Sequence, residues 1–583
     1  MKAEGLSAYI ITSSDAHLSE YTPSRWQGRS WISGFNGSAG TVVVTLDKAG
    51  LWTDSRYFLQ GAAQLEGSTI ELYKMGVPGT PSIEGFLAEE LGAGAVVGAD
   101  GICLSLAEAE DTRHQLEVYG ISYRLDTDLL DRVWQDRPDI PSKPLFLHPA
   151  QYAGRTAAER IAEVRSRLKA QGANATIVTM IDELAWVFNI RGYDVAYNPV
   201  GVGFGYIGAD DAVLFTLPEK VTDEVRADLT ANGVRILDYT AIDSFVASLG
   251  AEVRLLVDPK RITYRLASQI PAHCRRVSGV SVLTQLKAIK NETELSNLRR
   301  VMARDGVALT RFFKWLEEAL QRGETFSEVE LADILNKQRA TDSLFYGDSF
   351  ATICGYQGNG AIVHYHAQKD TCATVKPEGV LLLDSGGQYL DGTTDITRTI
   401  ALSEPSDQLR TDYTLVLKGH IQIALVQYLE GTRGNQIDIL ARHALWQRGL
   451  NYGHGTGHGV GFFLNVHEGP QNIRTEVNPT PLELGMITSN EPGIYIDTRF
   501  VAGQYGIRIE NLVVTELREE TEFGRFFGFE TVTLCYLDNN LVKKELLTAD
   551  ELAWYNAYQE RVYQTLSPKL TTEEAQWLRS KTL

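Results

Sequence analysis

The stretch GVLLLDSGGQYLDGTTDITRTIA (379–401) decides how the rest of the chain is read. Val380–Leu383 is a run of apolar residues, the pattern of a buried strand, and it delivers Asp384 into Ser-Gly-Gly. A carboxylate in that position lies at the mouth of the strand or is buried with a partner, because an unpaired buried charge is very costly. Taken alone, it also reads as a turn-capping aspartate. Eleven residues on, period-two alternation puts Thr393, Asp395, Thr397 and Thr399 on one face of a second strand. A hairpin of the two strands sets Asp384 beside Asp395 and leaves Asp391 to the turn.

Further along, GHGTGHGVG (453–461), NEPG (490–493) and GIRIEN (506–511) add His458, Glu491 and Glu510. His454 and His458 stand four apart, but glycines at 453, 455, 457, 459 and 461 make a helix implausible. The segment is expected to be extended, so the two imidazoles need not meet one ion. Pro492 forces Glu491 toward an extended conformation; the plainer reading is a solvated turn carboxylate. Arg508 and Glu510 share a strand face, either as an ion pair or with Arg508 orienting a metal-bound glutamate. His467 in NVHEGP (465–470) and His364 in GAIVHYH (360–366) fall within or beside the series, which suggests a polar cleft.

Four carboxylates and one imidazole (Asp384, Asp395, His458, Glu491, Glu510) suit a pair of hard-to-borderline divalent cations. Oxygen-rich ligation favours Mn²⁺ over a thiolate-type zinc site. Two carboxylates about 4 Å apart repel by roughly 4 kcal/mol at an effective dielectric near 20, so four gathered together call for cations. Paired cations of this kind serve hydrolysis, aminopeptidases among the examples.

With 583 residues, 44% of them apolar and 22% charged, the chain reads as a soluble multidomain protein. A formal charge of −19 argues against a nucleic-acid partner. Five scattered cysteines without a CxxC pair suit a reducing compartment. No signal peptide opens the sequence and no apolar run is long enough for a membrane, so a cytoplasmic location without membrane attachment is expected.

The first 300 residues read as two copies of one α/β unit. Trp31 and Trp186 lie 155 apart and Asp100 and Asp258 lie 158 apart, each pair in matching surroundings. The helical stretch AAERIAEVRSRLKAQG opens the second copy, whereas the first begins at MKAEGLSAYI as if that helix were clipped. Proline-rich 137–146 reads as the linker. From Lys287, apolar residues fall at helical spacing, including Leu295, Leu298, Met302, Val307 and Leu309. The expected divisions are 1–145, 146–286, 287–515 and an extension at 516–583. In the extension, Leu552, Tyr555, Tyr558, Val562 and Tyr563 line one side of a helix that completes a core or forms a subunit contact.

The ordered set GAIVHYH, LDSGG, DITRT, GHGTGHGVG, NVHEGP, NEPG and GIRIEN closely resembles the pita-bread metallopeptidases. Within them it is most similar to the Xaa-Pro aminopeptidases (aminopeptidase P) of the long three-domain cytosolic type. SSDAHLSEY and TDSRYFLQ near the start and FGFETVTLC near the end extend the likeness over essentially the whole chain. The resemblance implies two creatinase-like α/β domains before a pita-bread catalytic domain, and two Mn²⁺ held by Asp384, Asp395, His458, Glu491 and Glu510. It further implies a homodimer and cleavage of peptides before a proline at position two, with His364, His454 and His467 lining the substrate site.

In the chemistry this suggests, a hydroxide shared by both ions attacks the scissile carbonyl and Glu491 shuttles its proton. His364 and His467 stabilise the substrate carbonyl, His454 sits by the proline, and Arg508 supports substrate binding. Gly459–Gly461 with Phe462 and Phe463 are expected to shape the proline pocket. The interval IYIDTRFVAGQY (494–505) is longer than the family's usual loop. An Xaa-Pro dipeptidase is the nearest alternative, and a non-catalytic peptide-binding module is the alternative from another class. A metal-free creatinase-like enzyme is disfavoured by the intact ligand set.

Overall fold

The computed structural model describes residues 1–496 and 504–583. By compactness the chain divides into two units, 1–150 with 155–286, and 151–154 with 287–583.

Two six-stranded sheets of identical connectivity build the first unit. In chain order the strands of one are Ala8–Ile11, Thr41–Thr45, Ala49–Thr53, Ile70–Lys74, Val96–Ala99 and Ser122–Arg124. Those of the other are Ala175–Val178, Phe204–Ile207, Ala212–Thr216, Val234–Asp238, Arg254–Val257 and Arg275–Ser278. Each sheet has the spatial order 4-3-2-1-5-6. In both, strand 2 runs antiparallel to strands 1 and 3, and the remaining neighbours are parallel.

This shared wiring is what the repeated sequence signals reflect. Asp100 and Asp258 follow the fifth strand of their sheets and accept the same i+2 backbone bond, from the N–H of Ile102 (2.9 Å) and Lys260 (3.0 Å). The tryptophans occupy the same stretch of chain but not the same environment. Trp186 is buried under the Arg160 guanidinium, whereas Trp31 stays 41% exposed and stacks on Trp134.

Helix Ala157–Ala170 opens the second copy with a Thr156/Glu159 capping box, and a single 3₁₀ turn, Lys2–Glu4, stands at that place in the first. Residues 137–145 form neither helix nor strand, as the linker reading expects. The copies nevertheless close into one unit. His17 of the first is buried with its ring nitrogens on Thr179 O (2.9 Å) and Tyr239 Oη (3.0 Å) of the second, and Ala16 and Trp26 join the second copy's apolar core.

The second unit opens with the 30-residue helix Glu292–Gln321, started by an Asn291/Glu294 capping box. All five apolar residues expected on its inner stripe are buried. The helix lies over antiparallel sheet in a core that also takes in Leu381, Leu383 and Ile400. The division expected at 515/516 falls inside the strand Asn511–Thr521, which pairs with Gly524–Thr531. The chain therefore crosses that point within one sheet, because the hairpin's hydrogen bonds bind both sides of it together.

Helix Ala549–Leu566 buries Tyr555, Tyr558 and Val562 in the core of the second unit, with Leu552 and Tyr563 half-buried. It completes a core. Phe312, fully buried on the long helix, tests this packing. Phe312→Ala is expected to cost about 3–5 kcal/mol. In a calorimetric scan it should lower the transition of the second unit and leave that of the first in place.

Candidate metal centre

Strand pairing alone brings the carboxylates together. Val380–Ser385 runs antiparallel to Ile396–Ala401, with Asp384 opposite Thr397, so Asp395 lies one residue beyond the ladder on the partner strand. Asp391 sits at the tip of the hairpin, paired with Arg304 (2.6 Å). Strand Ile487–Asn490 pairs with Asn511–Thr521 in the register Asn490↔Asn511, and Gly493–Ile496 pairs with Tyr505–Arg508 in the register Gly493↔Arg508. Between those pairs Ile509 donates to Pro492 O (3.2 Å), so Glu491 and Glu510 face each other where two ladders meet. Thr397 ties the second hairpin to the first: its carbonyl accepts from Glu510 N (3.1 Å) and its hydroxyl donates to Glu510 Oε2 (2.8 Å).

His458 enters on the two-residue strand Gly457–His458, extended as expected. Glycine is required beside it, since a Cβ on Gly457 would lie 1.9 Å from the Ser489 carbonyl oxygen. The His458 N–H donates to Ser489 Oγ (3.0 Å), and Ser489 Oγ in turn donates to Glu491 Oε1 (3.2 Å). Nδ1–H donates to Gly459 O (2.9 Å) and leaves Nε2 facing Asp395 Oδ2 (3.4 Å) and Glu491 Oε1 (3.6 Å).

Three overlapping groups result, each with ligand atoms within 4.8 Å of one another. They are Asp384, Asp395 and Glu510; His458, Glu491 and Glu510; and Asp395, His458 and His467. All five residues singled out as ligands fall in these groups, and Glu510, Asp395 and His458 each belong to two. The site has a closed floor and an open lip, with side-chain exposure of 4% at Asp395 against 18% at Glu491 and 23% at His458.

Electrostatics fit cations. Burial, then the charges of Asp395, Glu491 and Asp384, push the Glu510 carboxyl well above its ordinary range. Burial also raises Asp384 and Glu491 despite Arg508 beside them. Burial and His467 oppose charge on His458, yet Asp395 and Glu491 hold its pKa above the usual value. Asp384 Oδ1 is buried, and no donor meets it among the described residues. Oxygen-rich donors that repel one another, with a lone pair left unmatched, are what a pair of divalent ions would satisfy.

Other expected site residues find different partners. Arg508 does not pair with Glu510. Its Nη2 donates to Asp384 Oδ2 (2.5 Å), Nη1 to Tyr495 Oη (2.7 Å) and Nε to Thr397 Oγ1 (3.2 Å). Arg508 is buried and opposite Gly493 rather than beside Glu510, so it orients Asp384, and a substrate contact is not what the geometry offers.

His454 meets Tyr495 Oη at Nε2 (2.7 Å) and Gly455 O at Nδ1 (2.7 Å), away from the His458 groups. His467 sets its ring edge-on to His458 with centroids 4.6 Å apart. His364 follows the 3₁₀ turn Gln357–Ala361 and is half-buried; that turn packs tightly on Gly506 beside the ligand strand. Phe462 and Phe463 are buried, Phe463 fully and against Tyr346. The long interval 494–505 spans residues 497–503, which lie outside the described residues; Ile496 and Tyr505 pair at its base.

Tyr495 was not among the expected residues. A period-two reading from Gly493 reaches it, because Gly493 leaves room for the Tyr495 ring to lie over it toward Arg508, and a Cβ there would sit 2.8 Å from the Tyr495 hydroxyl.

The antiparallel hairpins and their acidic centre define a pita-bread metallopeptidase. Metallopeptidase family M24 matches residues 296–516, its C-terminal region matches 525–583, and the creatinase/prolidase N-terminal domain matches twice, at 1–127 and 136–294. A probable Xaa-Pro aminopeptidase P of Laccaria bicolor is 42% identical, covering 99% of this chain and 91% of its own length. X-prolyl aminopeptidase of Caenorhabditis elegans, described as a cytosolic enzyme with a di-nuclear active site, superposes with a TM-score of 0.94 at 33% identity over 99% of this chain and 95% of its own. An Xaa-Pro dipeptidase of Bacillus anthracis (25% identity, TM-score 0.51) covers 65% of this chain and 98% of its own. The chain belongs to the Xaa-Pro aminopeptidase P family of M24 metallopeptidases.

Metal binding should be proton-linked. Carboxyls raised by folding favour the metal-free fold at acid pH, and that stability is lost as pH rises through their folded-state pKa values. Cations remove the penalty and displace the protons. The thermal stabilisation produced by Mn²⁺ is therefore expected to be larger at pH 8 than at pH 6. Calorimetric titration in buffers of different ionisation enthalpy should report proton release on binding.

Proposed function

We propose that the protein is a dinuclear metallo-aminopeptidase that hydrolyses the bond between an N-terminal residue and a penultimate proline. The observation that carries this reading is the convergence of Asp384, Asp395, His458, Glu491 and Glu510 in a chain that aligns end to end with aminopeptidases of that specificity. The donor set holds the two ions, Mn²⁺ by its oxygen richness. When bound, they supply Lewis acidity to the scissile carbonyl and an acidified water as nucleophile.

Glu491, at the open lip and fixed through Ser489, accepts the proton of the attacking water and returns it to the departing proline nitrogen. His467, edge-on to His458, and His364 donate to the substrate carbonyl as charge develops on it. His454, held by Tyr495, faces the proline side. Arg508 aims Asp384 and offsets part of the cost of burying its charge.

The division of the first half into 1–145 and 146–286 is kept as two creatinase-like domains, supported by their separate sheets. A homodimer is proposed, for which exposed Leu429, Leu517 and Phe523 supply an apolar surface. A cytoplasmic location is proposed from the description of the Caenorhabditis elegans enzyme as cytosolic; no described helix is long and apolar enough to cross a membrane.

With Mn²⁺, the protein is expected to release the first residue of an Xaa-Pro-Xaa tripeptide and to turn over the matching Xaa-Pro dipeptide poorly, with a chelator abolishing both. Cleavage of the dipeptide alone would assign it as a dipeptidase instead. Glu491→Gln is expected to lower kcat at least 100-fold even where Mn²⁺, bound more weakly, is supplied to saturation; full activity in that variant would remove Glu491 from the proton shuttle.

A further inference from the structure

Arg398, in the DITRT segment, is buried, and among the described residues no carboxylate lies within ion-pairing distance of it. A buried cation without an anion is expensive unless every donor is matched. Here six oxygens match it. Nε donates to Tyr536 O (2.9 Å), Nη1 to Thr397 O (2.9 Å) and Glu510 O (2.8 Å), and Nη2 to Asn511 Oδ1 (2.8 Å), Cys535 O (2.9 Å) and Tyr558 Oη (2.9 Å). One guanidinium thus joins the main chain of Glu510 to three residues of the C-terminal region.

The connection continues past Arg398. Accepting from the guanidinium fixes which end of Asn511 is oxygen, so its Nδ2 donates to His420 Nε2 (3.0 Å). His420 Nδ1–H then donates to Asn490 O (3.1 Å), and Asn490 Nδ2 donates back to His420 O (2.9 Å). Asn490 immediately precedes Glu491, as Asn511 immediately follows Glu510. From the other side, the Tyr558 ring stacks on Trp554 with centroids 5.1 Å apart, and Trp554 meets the His420 ring edge-on. Helix Ala549–Leu566 therefore touches this polar chain twice, at Arg398 and at His420.

We propose that Tyr558 and Arg398 are positioning residues of the metal centre: the C-terminal helix fixes the backbone of Glu510 directly and that of Glu491 through Asn511, His420 and Asn490. The C-terminal region is on this view part of the metal-holding apparatus. The inference rests on the reading of Glu491 and Glu510 as ligands.

Tyr558→Phe removes the hydroxyl that accepts from Arg398 and keeps the ring that stacks on Trp554. Tyr555→Phe is its control. Tyr555 is equally buried on the same helix, but its hydroxyl bonds Asn539 (2.5 Å) and Gln559 (3.2 Å) and does not reach Arg398. Both variants of the full chain are titrated with Mn²⁺ in a calorimeter, melted, and assayed on an Xaa-Pro-Xaa tripeptide.

Tyr558→Phe is expected to weaken Mn²⁺ at one or both sites by about 10-fold, the range seen when an outer hydrogen-bond partner of a ligand is lost. Its kcat should recover at saturating Mn²⁺ with KM unchanged. Tyr555→Phe is expected to lower Tm without changing Mn²⁺ affinity. Wild-type Mn²⁺ affinity in Tyr558→Phe, or an equal loss in both variants, would overturn the proposal. Glu510→Gln separates the two readings, because normal binding of both ions by that variant would overturn the ligand assignment itself.

Discussion

Four carboxylates share a volume a few ångströms across at the centre of the second unit, and the surrounding architecture answers to that constraint. Such a cluster is self-repelling in a medium of low polarisability, so it persists only where backbone geometry fixes each acid independently of the others. The two antiparallel ladders do this by register. One sets Asp384 opposite Thr397, the other sets Glu491 opposite Glu510, and the Thr397 hydroxyl and carbonyl join the two. Asp384 lies within a strand, and Asp395, Glu491 and Glu510 each stand immediately beside a strand end.

Around the acids stand two buried arginines with different tasks. Arg508 contacts the Asp384 carboxylate directly and offsets part of the cost of its burial. Arg398 contacts only neutral oxygens, and its charge is spread over carbonyls of three separate segments. A lysine in either place would present a point charge where a planar fork is matched on each edge. The neutral cross-links, Ser489 to Glu491 and Tyr495 to His454, then set side-chain directions without adding charge to the centre.

Much of the site was legible because each acid sits in a local context with its own mechanical meaning: an apolar run before Asp384, a proline after Glu491, alternating glycines about His458. The duplication was legible for a similar reason, since turns after equivalent strands reuse the same aspartate bond at Asp100 and Asp258. Where the reading went astray, the cause was a partner chosen across strands. Arg508 shares a strand face with Glu510 by parity, yet cross-strand pairing brings it to Asp384. The division at 515/516 agrees with the end of the M24 match at 516, although a hairpin runs through it.

The sequence by itself determined which acids and imidazoles make up the candidate site and in what order, because donor type, glycine tolerance and proline restriction are properties of single residues and their immediate neighbours. It also determined the repeated α/β halves, whose strands and caps are local. Only the tertiary structure decided which acids gather, which imidazoles fall outside that group, and that a tyrosine in the C-terminal helix reaches the arginine that meets the Glu510 carbonyl. Those outcomes depend on strand register and on contacts between residues more than a hundred positions apart, and periodicity along one strand carries no information about what lies across from it.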